Sequence, residues 1–175
     1  KPSYDIAKSF RPICLNSFCL KALERLIAHR IEEQIITNGG LHPGLHAYRT
    51  GRSTETAVHD LVTYVERAFL SKQFCLAVFF DIEGAFDNAS SKGIIQSLKK
   101  FKVDRVLINF IESLLSTRTV SCSLEGTNLC RQVTKGCPQG GVLSPLLWNV
   151  LVDGLIRQFD RTNLLCQIYA DDGLI

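Results

Sequence analysis

Apolar positions in the first third of the chain recur at helical spacing. Within residues 15–36, Leu20, Leu23, Ile27, Ile31 and Ile35 fall three or four apart, with Lys21, Glu24, Arg25, Glu32 and Glu33 between them. This pattern predicts an amphipathic helix. Asn38-Gly39-Gly40 should stop it, and His42-Pro43-Gly44 continues the loop. A second helix is predicted from Ser53, which is placed to cap it, although Thr56 stands where a capping box has Glu. Its apolar face would be Ala57, Leu61, Val62, Val65 and Phe69. Residues 75–80 form an uninterrupted apolar run ending at Asp81, which suits a strand buried on both faces. Residues 93–101 and 104–115 read as helices broken near Lys102. Residues 119–124 and 129–134 read as paired strands around Gly126-Thr127-Asn128. A loop rich in Gly and Pro, residues 136–141, precedes a helix over 143–159. Residues 164–175 read as a hairpin with Asp172-Gly173 at its turn. Helices mixed with hairpin-connected strands, and no internal repeat or linker, indicate an α+β fold.

Composition narrows the class without choosing a function. The 175 residues are 46% apolar and 21% charged, which excludes a disordered tail or a low-complexity linker. No apolar run approaches the ~18 residues of a membrane span, so no membrane partner is expected. A net charge of +3 is too small to imply nucleic acid by itself. Seven cysteines without a CxxC pair favour reduced thiols, and no signal peptide opens the chain, so an intracellular setting is expected. The absence of Met and the apolar final residues suggest a piece of a longer protein.

The chemistry concentrates in acidic residues. Asp81 follows an apolar run, where a carboxylate is costly unless something compensates it. Asp171 and Asp172 are adjacent on a tight turn, and only a turn brings neighbouring side chains to one place. Carboxylates crowded together repel one another, and a hard divalent cation such as Mg²⁺ relieves that repulsion. Taken singly, Asp81 as a helix cap and Asp171-Asp172 as an ordinary turn are the favoured readings, since short motifs give frequent false positives. His42 and His46 are separated by Pro43-Gly44, which breaks any helix that would align them on zinc.

The features fall in a recognisable order. Phe80-Asp81-Ile82-Glu83-Gly84-Ala85-Phe86-Asp87 resembles motif A of reverse transcriptases. Gly136-Cys137-Pro138-Gln139-Gly140-Gly141-Val142-Leu143-Ser144-Pro145 resembles their motif B, and Tyr169-Ala170-Asp171-Asp172 their YxDD box. Ser9-Phe10-Arg11-Pro12-Ile13, residues 21–27 and Tyr48-Arg49-Thr50-Gly51-Arg52-Ser53-Thr54 resemble segments of the non-LTR retrotransposon branch. The resemblance covers essentially the whole chain. It implies a right-hand polymerase palm, an antiparallel sheet with helices, plus partial fingers and no thumb. Residues 1–72 and 89–136 would be fingers and connecting helices, and residues 73–88 and 137–175 the palm.

The resemblance also implies roles. Asp81, Asp171 and Asp172 would be catalytic and hold two Mg²⁺ ions, with Mn²⁺ as a possible substitute. Glu83, Gly84 and Ala85 would face the triphosphate through their backbone, and Arg11 would pair with it. Phe86 would be a steric gate against a 2′-hydroxyl. Gln139 and Gly140 would line the nucleotide pocket, Pro138 would fix their loop, and Tyr169 would pack near the primer end. The implied reaction is RNA-directed addition of deoxynucleotides to a primer 3′ end. Its partners would be an RNA template, a DNA primer or target and deoxynucleoside triphosphates, with the nucleus as the place of integration. The alternative is an inactive relic, or a host-recruited nucleic-acid-binding module derived from such an enzyme.

Overall fold

A computed structural model describes residues 13–124, 127–159 and 164–175. Helix α1 (Phe18–Thr37) starts where the Ser17 side chain accepts the Leu20 N–H, and it ends at Asn38. Gly39 and Gly40 follow with positive φ, as the sequence predicts. Its buried stripe is Glu24, Ile27, Ala28, Ile31 and Ile35. Glu24 thus occupies an apolar slot, while Leu23, expected on that stripe, is 44% exposed.

Helix α2 (Thr54–Leu70) is capped by a complete box. The Ser53 Oγ accepts the Thr56 N–H at 3.3 Å, and Thr56 Oγ1 accepts the Ser53 N–H at 2.9 Å. Threonine therefore does the work expected of glutamate. The apolar face of α2 is not buried: Val62 and Phe69 stay exposed and no residue of the helix is fully covered.

The apolar run before Asp81 also departs from expectation. Only β1 (Phe79–Asp81) is strand, and it is largely exposed. It forms the edge of a three-stranded antiparallel sheet in the order β1-β5-β4, with β4 at Gln167–Tyr169 and β5 at Asp172–Leu174. An edge strand has one hydrogen-bonding neighbour, and β1's side chains are mostly uncovered as well. The β4–β5 turn is Ala170-Asp171, closed by the Tyr169–Asp172 pair. Ala170 supplies the positive φ, at 59°, that the first central position of a primed hairpin turn needs. Gly173, expected in the turn, lies inside β5 opposite Phe80, where an added Cβ would fall 2.1 Å from the Phe80 Cζ.

Helix α3 (Ala85–Asn88) is a single turn after Gly84. Helices α4 (Ser91–Lys100) and α5 (Arg105–Ser116) match the predicted pair, joined through Lys102 at a φ of 54°. Strands β2 (Thr119–Leu124) and β3 (Thr127–Gln132) form a separate exposed hairpin. Helix α6 (Ser144–Phe159) is the most enclosed element. It packs on α4, which packs on α5. Ile31, Ile94, Leu98, Ile111, Leu147 and Ile156 form a core with almost no exposure, and Ile168 of β4 joins it. Among the described residues, no helix is long and apolar enough to cross a membrane.

Candidate active site

The β1–β5 register places Asp81 directly opposite Asp172. Val78 and Ile175 exchange both backbone hydrogen bonds, at 2.8 and 3.0 Å, and the Ile82 N–H donates to the Asp171 carbonyl at 2.9 Å. Alternation along the ladder then makes Asp81–Asp172 a non-hydrogen-bonded pair, the kind whose side chains stand closest. Both residues are exposed, and Asp171 is half-buried on the turn beside them. Like charges directly opposed across a sheet are destabilising. Oxygen-only donors in that position suit a hard cation such as Mg²⁺, so the donor chemistry fits the ion that the sequence implies. Among the described residues no three His, Cys, Asp or Glu side chains converge to hold one.

Asp171 opens onto a cleft of about 850 Å³ that is also lined by Glu83, Gly84, Ala85, Phe86, Gln139 and Gly140. Three segments far apart in sequence thus meet in one place. Asp172 instead borders a separate pocket, with Phe79 and Leu174, against α2. Gln139 is held by its Nε2–H, which donates to Asp87 Oδ1 at 2.8 Å. Gly140 has a φ of 92°, and a Cβ there would lie 3.0 Å from the Cys14 carbonyl. The Pro138 carbonyl accepts the Ser144 hydroxyl at 2.6 Å and the Gly141 N–H at 3.0 Å, which folds the loop onto the start of α6. Tyr169, half-buried, closes the hairpin across from Asp172 rather than lining the cleft. Arg11 lies outside the described residues.

The loop over residues 136–141 sits against α3. The Gly136 N–H donates to the Ala89 carbonyl at 2.8 Å, and the Cys137 N–H to the Phe86 carbonyl at 2.7 Å. Burial pushes the Cys137 thiol up to about 11, so it stays protonated and serves as a small apolar group.

Three side chains that the sequence reading left unassigned shape this site. Tyr48 lines the cleft and meets Phe86 edge-on, with ring centroids 6.1 Å apart. Trp148 packs on Phe86 at 5.6 Å, and its Nε1–H donates to the Ala170 carbonyl at 2.8 Å. Glu24 is the third. It is 1% exposed; its Oε2 accepts the Val142 N–H at 2.6 Å and the Leu143 N–H at 3.4 Å, while Asn16 donates to Oε1. A carboxylate from α1 therefore satisfies the backbone donors at the entrance to α6. The signal was present: a charged residue sits in the apolar stripe of α1. Glu24→Ala should cost about 3 kcal/mol, since it strips a charged acceptor from buried N–H groups. Urea unfolding checks this, and a loss under about 1 kcal/mol would remove the anchoring role.

The reverse transcriptase (RNA-dependent DNA polymerase) family matches residues 1–175. The probable RNA-directed DNA polymerase from transposon BS of Drosophila melanogaster is 33% identical over 171 residues, covering 94% of this chain and 19% of that protein. The RNA-directed DNA polymerase from mobile element jockey of the same species is 26% identical, over 95% of this chain and 19% of that protein. The chain thus spans about a fifth of the length of these curated relatives. Among solved structures, apo telomerase from Candida tropicalis superposes with a TM-score of 0.65 at 14% identity, over 89% of this chain and 31% of that one. That likeness is one of fold, and it agrees with a partial palm and fingers of mixed helix and antiparallel sheet.

Proposed function

Because this chain belongs to the reverse transcriptase (RNA-dependent DNA polymerase) family, we propose that it is the catalytic part of a retrotransposon RNA-directed DNA polymerase. The observation that carries this reading is the cleft in which residues 83–86, 139–140 and Asp171 meet, with Asp81 and Asp172 paired on the strands that flank the Asp171 turn. The proposed reaction adds a deoxynucleoside triphosphate to a primer 3′-hydroxyl on an RNA template, with release of pyrophosphate.

Each residue has a proposed part. Asp81, Asp171 and Asp172 would hold Mg²⁺, or Mn²⁺ in its place. Bound there, the ions would acidify the primer hydroxyl and neutralise the triphosphate. The backbone of Glu83, Gly84 and Ala85 turns beneath the cleft, where N–H groups suit phosphate oxygens. Arg11 would clasp the same phosphates through its planar fork. Gln139 and Gly140 would border the incoming nucleotide, with Pro138 stiffening their loop. Phe86 would exclude a 2′-hydroxyl by its bulk at the cleft, its ring packed against both Trp148 and Tyr48. Tyr169 would support the primer end from the neighbouring strand.

The test is primer extension by the natural full-length protein on a primed RNA template with deoxynucleotides and Mg²⁺. Extension that stops on chelation and returns with added Mg²⁺ supports the reading. A folded protein that binds the primed template and extends nothing would instead favour a nucleic-acid-binding relic.

A further inference from the structure

The loop carrying Tyr48 is unusually well fixed for an irregular segment. Ile168 N–H donates to the Gly44 carbonyl at 2.9 Å, and His46 N–H donates to the Ile168 carbonyl at 3.0 Å, so the loop runs alongside β4. Arg49 Nη1 donates to the His42 and Leu45 carbonyls at 2.7 and 2.9 Å, and Asn149 Nδ2 to the Ala47 carbonyl at 2.8 Å. Leu45, His46 and Ala47 are buried. Tyr48 then emerges 52% exposed at a φ of 57°, a left-handed conformation that a bulky residue adopts only at a cost. The anchored loop and the left-handed turn together aim the ring at Phe86, edge to face at an interplanar angle of 77°.

Phe86 also packs on Trp148, whose Nε1–H donates to the Ala170 carbonyl. Phe86 thus touches one enclosed ring and one exposed ring that lines the cleft. We propose that Tyr48 is a specificity-determining residue: its ring edge braces Phe86 in the gate position and so sets how strictly ribonucleotides are refused. This inference rests on the reading of Phe86 as the gate. Burial and the nearby Asp171 carboxylate raise the Tyr48 phenol above its ordinary range, so the residue stays neutral beside the acidic pair.

The experiment compares kcat/KM for a deoxynucleotide and its ribonucleotide on one primed RNA template, using the full-length protein and its Tyr48→Asn, Tyr48→Phe and Phe86→Ala variants. Asparagine tolerates positive φ, so Tyr48→Asn removes the ring without adding backbone strain. The deoxy-to-ribo ratio should fall about five- to tenfold in Tyr48→Asn, the size expected for one aromatic pair. Most of that fall should appear as a lower KM for the ribonucleotide. Tyr48→Phe, which keeps the ring edge, should restore the wild-type ratio. A wild-type ratio in Tyr48→Asn would overturn the inference, as would a Tyr48→Phe ratio as low as that of Tyr48→Asn. Loss of all extension in Tyr48→Asn with Tyr48→Phe active would also overturn it, by assigning the ring to building the site. An unchanged ratio in Phe86→Ala would overturn the gate reading beneath it, and a wild type that extends with neither nucleotide would overturn the polymerase reading itself.

Discussion

Asp81→Asn should lower nucleotide incorporation by about a thousandfold or more, the scale on which loss of one charge-stabilising group acts in a preorganised site. The substitution keeps the shape of the side chain and removes its charge. Because Asp81 opposes Asp172 as a close cross-strand pair, the same change should slightly raise the thermal unfolding midpoint by removing a repulsion. Opposite signs on activity and stability mark a site whose residues are kept for chemistry rather than for the fold. Incorporation is read by single-nucleotide extension in the full-length protein, and stability by the unfolding midpoint of the chain. A variant that stays within about tenfold of wild type would show that the charge at residue 81 is not needed.

Gly136→Ala should be strongly damaging, because the glycine combines a left-handed backbone with a close approach to α3. Gly136 has a φ of 85°, and a Cβ there would lie 2.6 Å from the Asp87 carbonyl oxygen and 2.9 Å from that of Phe86. Both obstacles are backbone, so neither can swing aside. The left-handed conformation costs an alanine about 1–2 kcal/mol, and overpacking adds about 1–3 kcal/mol. A loss of about 3–4 kcal/mol is expected, which for a chain of this size lowers the midpoint by roughly 10 °C. The clash also pushes the loop off α3, so the hydrogen bonds from Gly136 to Ala89 and from Cys137 to Phe86 should open. Loss of amide protection at residues 136 and 137 in hydrogen exchange would report this directly. A midpoint within 2 °C of wild type would contradict the close approach on which the cleft wall depends.

Much of the fold was legible because its signals were local. Helices α1, α4, α5 and α6 lie within a few residues of the predicted spans, since each carries a strong apolar period and a stop. What escaped was set by neighbours. The run before Asp81 reads as a buried strand because six apolar residues cluster there, yet strand order, which no local pattern encodes, puts it at an edge. Asp172-Gly173 reads as a turn, yet the turn is Ala170-Asp171, because Gly173 is needed in β5 where Phe80 leaves no room for a side chain. The motifs drew attention to Phe86, Gln139 and Asp171, which the structure brings to one cleft. Glu24 and Tyr48 were not singled out, because one acts through a helix entrance 118 residues away and the other through a loop without periodicity.

Gly173 under the Phe80 ring has a consequence for how the acidic pair is delivered. In a sheet, sliding one strand past its neighbour by a single position moves every side chain to the opposite face. Such a slide of β5 would bring Asp172 or Leu174 beneath the ring, where not even a methyl group fits. The glycine therefore works as a keyway that admits one alignment of the two strands. Any other alignment of β1 on β5 would have to displace the Phe80 ring, so the strand register itself sets Asp81 opposite Asp172.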